Sequence, residues 1–484
     1  MSRVSRTVVL HAAVVLALAH AVQVVASLAN AEILTRTLGP ALYGDYAAVL
    51  ATYVLLGALT DLGTGLVAVR AMTQEPERAR VLLVATVRLR LLAGLVASAL
   101  GAARFAHEPA GLVGAALPMI QAWSSSRLLL QATLEKTRLA RATVVGRLLQ
   151  TGLIFFATRT RPEPVAAVAA LALGELLVAA LLRGEVGTLP RVPWSESFRE
   201  ARAIAVAALP LAGAFVANEL AGSLDVLLLR GLRSSEETGL YSLAAQPLQA
   251  LEPLPRLILW SVFPLLAKRS APRESAQADD AFVARAHRST VAALGLAAAP
   301  LAAGTALCGP ALLATLFDPR YEQAGGPLVV LAFGTALGFL ASPFESTLVA
   351  LGRTRSVLAA SAGALLVNVL GNVLLVPRFG TMGAAWAWVA TAAAQLALAH
   401  ALLVRGLRPR AALPLDSLAR SGAAGFVLYA ALRPFKESVH PLVLVPLGAV
   451  VYAATVLLLG WSLNEDSAPG ARSLHSWRRM FPFT

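Results

Sequence analysis

The sequence predicts an all-α integral membrane protein of about 14 transmembrane helices, built as two six-helix bundles related by a parallel pseudo-two-fold repeat plus two C-terminal helices. Three observations predict this: an apolar composition, apolar stretches of spanning length, and short motifs that recur six helices apart. Of 484 residues, 57% are hydrophobic and only 14% are charged, more apolar surface than a soluble core of that size hides. A spanning helix needs about 20 apolar residues to cross roughly 30 Å of hydrocarbon. Such stretches fall at roughly 8–35, 42–69, 85–106, 109–132, 140–158, 163–182 and 202–224. They continue at roughly 238–267, 290–315, 325–350, 356–376, 381–404, 414–432 and 441–462.

The first stretch imitates a secretory signal, with Arg3 and Arg6 before an apolar run and Ala29-Asn30-Ala31 after it. Its apolar segment is too long for a signal core and flows into a second span, so it reads as an uncleaved helix. The longest gaps, near 183–201 and 268–289, carry mixed charge and read as surface helices. The organisation predicted is a bundle at 1–182, a linker at 183–201, a second bundle at 202–404, and two extra helices with a tail at 405–484.

The net charge of +14 does not read as a nucleic-acid footprint, because the basic residues form no single arm or face with interleaved aromatics. Assigned alternately to two sides, about 30 Lys and Arg fall on the side of the N-terminus and about 10 on the other. That asymmetry predicts a multi-pass membrane protein with both termini cytoplasmic. Cys308 is the sole cysteine, which excludes an intramolecular disulfide or thiolate cluster. The seven histidines, from His11 to His475, show no metal-ligand spacing. Neither a cofactor nor a metal is expected.

Two internal echoes support the repeat. A shared Gly-x-Tyr opens spans two and eight, as Gly44-Asp45-Tyr46 and Gly239-Leu240-Tyr241. Lys136-Thr137-Arg138 and Arg353-Thr354-Arg355 are each followed at one spacing by Gly-x-Leu-Leu, at Gly146, Leu148, Leu149 and at Gly363, Leu365, Leu366. Each echo relates a helix to the sixth one after it. An even offset keeps both copies in the same orientation, so the repeat axis runs along the membrane normal.

Leu34-Thr35-Arg36-Thr37-Leu38-Gly39-Pro40, then Tyr43-Gly44-Asp45-Tyr46 and Asp61-Leu62-Gly63, resemble the opening of the Wzx-type polysaccharide flippases. That family belongs to the superfamily that also holds lipid II flippases and multidrug and toxin extruders. Asp225 before Gly239-x-Tyr241, Phe263-Pro264-Leu265-Leu266-Ala267, and Asn368, Asn372, Pro377, Gly380 with Gly383-Ala384-Ala385 resemble its later helices in order and spacing. The resemblance implies alternating access between two bundles, with helices one, two, seven and eight lining a cavity. It implies a substrate made of an isoprenoid tail, a pyrophosphate and an oligosaccharide, namely an undecaprenyl-pyrophosphate-linked repeat unit for surface polysaccharide. Besides that substrate and the bilayer, a polysaccharide polymerase and chain-length machinery are its candidate partners.

Charges inside hydrocarbon are expensive, so they point to a transport path by default. Glu252 and Arg256 stand one helical turn apart on span eight among Pro247, Pro253 and Pro255, which favour a bent or broken helix. They read either as a substrate or proton site or as a pair that locks helices. Asp61 reads as a coupling-ion or gating residue, or as a local cap or pair, with Arg70 as the candidate partner. Asp225 invites the same gating role, or a local pair with Arg230. Arg36, Arg230 and Arg233 at outer helix ends read as receivers of pyrophosphate, since a guanidinium matches phosphate oxygens, or as snorkelling to headgroups. Glu175, a further ion-coupling candidate, and Glu345 have no evident partner. Asn368 and Asn372 read as interhelical hydrogen bonders, and Trp260, Trp386 and Trp388 as interfacial anchors.

No Walker sequence supports a nucleotide-driven pump. A flippase makes and breaks no bond and has no catalytic residue. Two alternatives stay open: a multidrug extruder or lipid II flippase on the same fold, and a membrane-embedded polysaccharide polymerase or glycosyltransferase.

Overall fold

The computed structural model describes residues 3–133, 135–252, 254–255, 258–259, 276–405 and 413–460, and among them all regular structure is helical. Among the described residues fifteen α-helices are delimited. They are α1 Arg3–Asp61, α2 Thr64–Gln74, α3 Ala79–Arg104, α4 Pro109–Gly114, α5 Leu117–Trp123, α6 Arg127–Ala132, α7 Lys136–Thr160, α8 Pro164–Val186, α9 Trp194–Leu232 and α10 Ser235–Gln249. The chain continues with α11 Ala276–Leu316, α12 Gly325–Ala350, α13 Thr354–Val404, α14 Leu415–Leu432 and α15 Pro441–Leu458. Among the described residues nine stretches are long and apolar enough to cross a membrane.

Two of those stretches are far longer than one crossing needs: Ala19–Gln74 has 56 residues and Thr354–Val404 has 51. Both break at a glycine within three residues of a proline. In α1 the break is Gly39, at φ 72° before Pro40, and in α13 it is Gly380, at φ 55° three residues after Pro377. A positive φ is open to glycine without a Cβ penalty, and proline removes a backbone donor. The predicted turns between spans one and two and between spans eleven and twelve are therefore tight kinks.

Span four differs from its predicted continuous form. Residues 109–132 fold as α4, α5, a 3-10 turn at Ser124–Ser126 and α6. Pro118 at the start of α5 and three consecutive serines divide the segment. Serine hydroxyls compete for backbone hydrogen bonds, which opposes a long regular helix. The regular helix α10 closes at Gln249, and of the rest of span eight the described residues 254–255 and 258–259 are helical.

The chain divides into two compact units, Met1–Ser242 and Leu243–Thr484. In the first, Ala68, Met72, Leu82, Leu83, Leu128, Val178, Leu182 and Ile204 form a core shared by α2, α3, α6, α8 and α9. In the second, α12 is the most enclosed helix, with 67% of its apolar window buried against 17% for α15. Leu307, Leu428, Leu432, Leu444 and Tyr452 join α11, α14 and α15. The outer surfaces are apolar in stripes at helical spacing, as with Leu366, Leu370, Val373 and Leu374 on α13, all at least half exposed. Such stripes need hydrocarbon around them, and the chain is a multi-pass membrane protein.

Candidate functional site

The site begins with a break in the backbone. Asp61 ends α1, and the next two residues take left-handed conformations, Leu62 at φ 44° and Gly63 at φ 71°. This reversal lets the Asp61 carboxylate fold back over the start of α2, where Oδ1 accepts the Gly65 N–H at 3.0 Å. The Thr64 hydroxyl donates to the Asp61 carbonyl at 2.6 Å. For Leu62 the left-handed region costs about 1–2 kcal/mol. Leu62→Gly is therefore expected to raise the melting temperature in detergent by about 1–2 degrees, measurable by scanning fluorimetry.

Asp61 does not pair with Arg70, which is exposed on α2. Its partner is Arg90 of α3, whose terminal nitrogen donates to Asp61 Oδ1 at 2.5 Å. Arg90 is only 2% exposed and uses its whole fork. Nε donates to Thr64 Oγ1 at 3.1 Å, and the other terminal nitrogen donates to Ser125 Oγ at 3.0 Å. Gly65 makes the room, because a Cβ there would stand 2.8 Å from the guanidinium. Arg127, at the start of α6, is half-buried and close enough for its charge to oppose that of Arg90. Among the described residues Arg127 has no ion pair. One carboxylate thus stands among two guanidiniums inside the first unit, leaving an excess positive charge that suits an anionic group.

A second constellation surrounds the two Gly-x-Tyr motifs. Gly44 lies against the backbone of Ser235 and Gly239, and Gly239 against Pro40 and Gly44. The contact is reciprocal: the two echoed glycines face each other where α1 crosses the start of α10. Beside them Asp45 accepts from Arg230 Nε at 3.0 Å and from Ser235 Oγ at 2.7 Å. Arg230 is therefore engaged by Asp45, and the expected pair with Asp225 is not formed. Asp225 is 1% exposed and instead accepts from the Tyr241 hydroxyl at 2.6 Å.

The remaining candidates disperse. Arg36 pairs with Glu32 at 3.1 Å, both about half exposed. Arg233 pairs with Glu237 at 3.0 Å. Glu175 is not partnerless, as α7 supplies Arg147 and Gln150 to its carboxylate. Glu345 accepts from Gln395. Asn372 donates to the Asn368 carbonyl at 2.9 Å, a bond inside one helix. Glu252 is exposed just after α10, whereas Arg256 lies outside the described residues, as do Pro253, Trp260 and the Phe263–Ala267 motif.

Arg90, Arg127 and Arg147 were not singled out by the sequence reading. Their signal was present, since each falls inside a predicted span, where a guanidinium demands a partner or a cavity. No three His, Cys, Asp or Glu side chains converge on a metal site among the described residues.

The fold is that of known transporters. The lipid II flippase MurJ, in an inward closed conformation, superposes with a TM-score of 0.70 at 12% identity, over 93% of this chain and 98% of that one. A multidrug resistance MATE family transporter of the MOP superfamily, outward-facing, gives 0.57 at 15% identity over 86% and 96%. A MOP superfamily transporter from Pyrococcus furiosus gives 0.54 at 16% identity over 87% and 96%. No curated protein sequence matches the chain. The sequence profile described as polysaccharide biosynthesis protein matches residues 9–270, more than half of the chain, and the protein belongs to that family.

Proposed function

We propose that the protein is a flippase that moves an undecaprenyl-pyrophosphate-linked oligosaccharide repeat unit across a bacterial inner membrane by alternating access between its two bundles. Both termini are cytoplasmic in this reading, following the basic gaps. The observation that carries it is the Asp61–Arg90–Arg127 cluster. A half-buried guanidinium beside a buried, already saturated one favours an anion over a neutral or cationic solute. The pyrophosphate is the anionic part of such a substrate, and no bond needs to be made or broken to move it.

The test is a vesicle assay with purified protein and fluorescently tagged lipid-linked oligosaccharide. Wild type is expected to move the lipid to the opposite leaflet unchanged. Arg127→Gln is expected to slow this at least about tenfold, the effect of losing roughly 1.4 kcal/mol of attraction, with melting temperature preserved because no described ion pair is broken. A rate equal to wild type removes Arg127 from the path. Movement of lipid II or of cationic drugs in place of the oligosaccharide would assign the protein to the lipid II flippase or multidrug reading. A chemically altered sugar would assign it to the polymerase or glycosyltransferase class.

A further inference from the structure

The second unit holds a buried group of side chains that the proposed transport path does not use. His287, near the start of the apolar stretch of α11, is 1% exposed. Phe344 of α12 packs between it and His400 of α13, with ring centroids at 4.5 Å and 5.3 Å and both contacts edge-to-face. Thr347 of α12 fixes the proton on the first ring. Its hydroxyl donates to the Pro343 carbonyl at 2.8 Å, so its oxygen accepts from His287 Nδ1 at 2.9 Å. With the proton on Nδ1, His287 Nε2 carries a lone pair. That atom is buried and has no hydrogen-bond partner, and His400 Nδ1 is likewise buried without one.

We propose that His287 and His400 form a proton-binding site whose occupancy opens the α11–α12–α13 packing around Phe344. In the packed state a proton on Nε2 would create a buried cation with no hydrogen-bond acceptor, in a cluster that holds a second imidazole. An unpaired buried charge is strongly disfavoured. A state in which water reaches the rings accepts the same proton at little cost. Proton binding and opening are then linked, and each favours the other.

The surroundings offer no competing neutralisation among the described residues. On α12, Glu345 is held by Gln395, and the residues around His287 are Pro343, Phe344 and Thr347. On α13, His400 is the titratable group whose charge acts on His287. On α14, which packs on α11 through Leu418 at Gly295, Asp416 and Arg420 pair with each other at 2.8 Å near the surface. On α15, Tyr452 is bonded to the Leu296 carbonyl. Arg285 of α11 is exposed and Arg288 half-buried, one on each side of His287 in sequence.

The size of the effect follows from linkage. If only the open state binds the proton, and with an ordinary imidazole affinity near pH 6.5, acidification from about pH 7.5 to about pH 5.5 multiplies the open-to-closed ratio about tenfold. Amide hydrogen exchange of the full-length protein in nanodiscs reads this directly, over 282–290, 343–350 and 396–402, after correction for intrinsic rates. Wild type is expected to gain about tenfold in exchange at the acid pH, and His287→Gln and His400→Gln to lose that gain. Thr347→Val, which frees the His287 proton from its fixed position, gives a third variant should either glutamine variant fail to fold. A flat wild-type response, or an acid response that persists in the variants, overturns the proposal.

In the transport setting this device, which there rests on the flippase reading, would let pH bias the second bundle. A vesicle assay at the same two pH values separates the two ideas. Failure of wild type to move lipid-linked oligosaccharide refutes the transport reading, while the exchange experiment still decides the proton site.

Discussion

Replacing Arg90 by methionine is expected to destabilise the protein by about 3–5 kcal/mol, the largest effect of any single charge removal considered. Arg90 is 2% exposed and satisfies Asp61, Thr64 and Ser125 together. Removing it leaves the Asp61 carboxylate facing the bundle with, among the described residues, only the Gly65 N–H as a close donor. Arg90→Lys restores the charge but not the fork, since a single ammonium cannot match three acceptors in a plane. The pair Asp61→Asn with Arg90→Met should recover most of the stability, because neither charge is then left buried alone. Thermal unfolding of the four proteins checks the cycle. Additive losses in the double variant would mean that Asp61 and Arg90 do not act as a pair.

A second large effect is expected from a single methyl group. At Gly44 an added Cβ would overlap the Ser235 carbonyl, and at Gly239 it would overlap the Pro40 carbonyl. Backbone on both sides cannot rotate away as a side-chain tip can. Gly44→Ala and Gly239→Ala should therefore cost more than about 3 kcal/mol each, beyond the usual penalty for an overpacked contact. The control is Gly152→Ala, where a Cβ would meet nothing within 4 Å. Fluorescence-detected size exclusion after heating should show the two crossing variants lost at temperatures that the control survives. Survival of Gly44→Ala at wild-type temperatures would show that α1 and α10 do not cross this closely.

Much of the fold was legible because spanning helices are announced by length and composition. The breaks were less so. Gly39-Pro40 and Gly380 were visible as turns, since glycine and proline state their backbone preferences locally. The division of residues 109–132 was missed because hydropathy averages over Ser124–Ser126 and records nothing of their hydrogen bonding. Among site residues, Asp61 stood out as a carboxylate in an apolar run, and it does cap the start of α2, yet its ionic partner is Arg90 rather than Arg70. Sequence proximity favoured Arg70, whereas the left-handed turn at Leu62 and Gly63 aims the carboxylate toward α3. Such a turn depends on backbone dihedrals that a leucine does not advertise. His287 and His400 show the same limit. They are more than a hundred residues apart in sequence, and only packing around Phe344 brings their rings together.

The Gly44–Gly239 crossing also constrains the order in which the chain can be made. Asp45 and Ser235, bonded beside it, are 190 residues apart. At about 5–20 residues per second of synthesis, the second glycine motif emerges roughly 10–40 s after the first. Throughout that interval the notch at Gly44 must stay unfilled within a membrane crowded with lipid and other nascent helices. The notch has no side chain of its own to hold an intruder, and it closes only when Ser235 and Arg230 reach Asp45. Translation pauses between the codons for residues 46 and 230 would prolong this window, and a slowed ribosome is expected to raise the fraction of chains degraded before assembly.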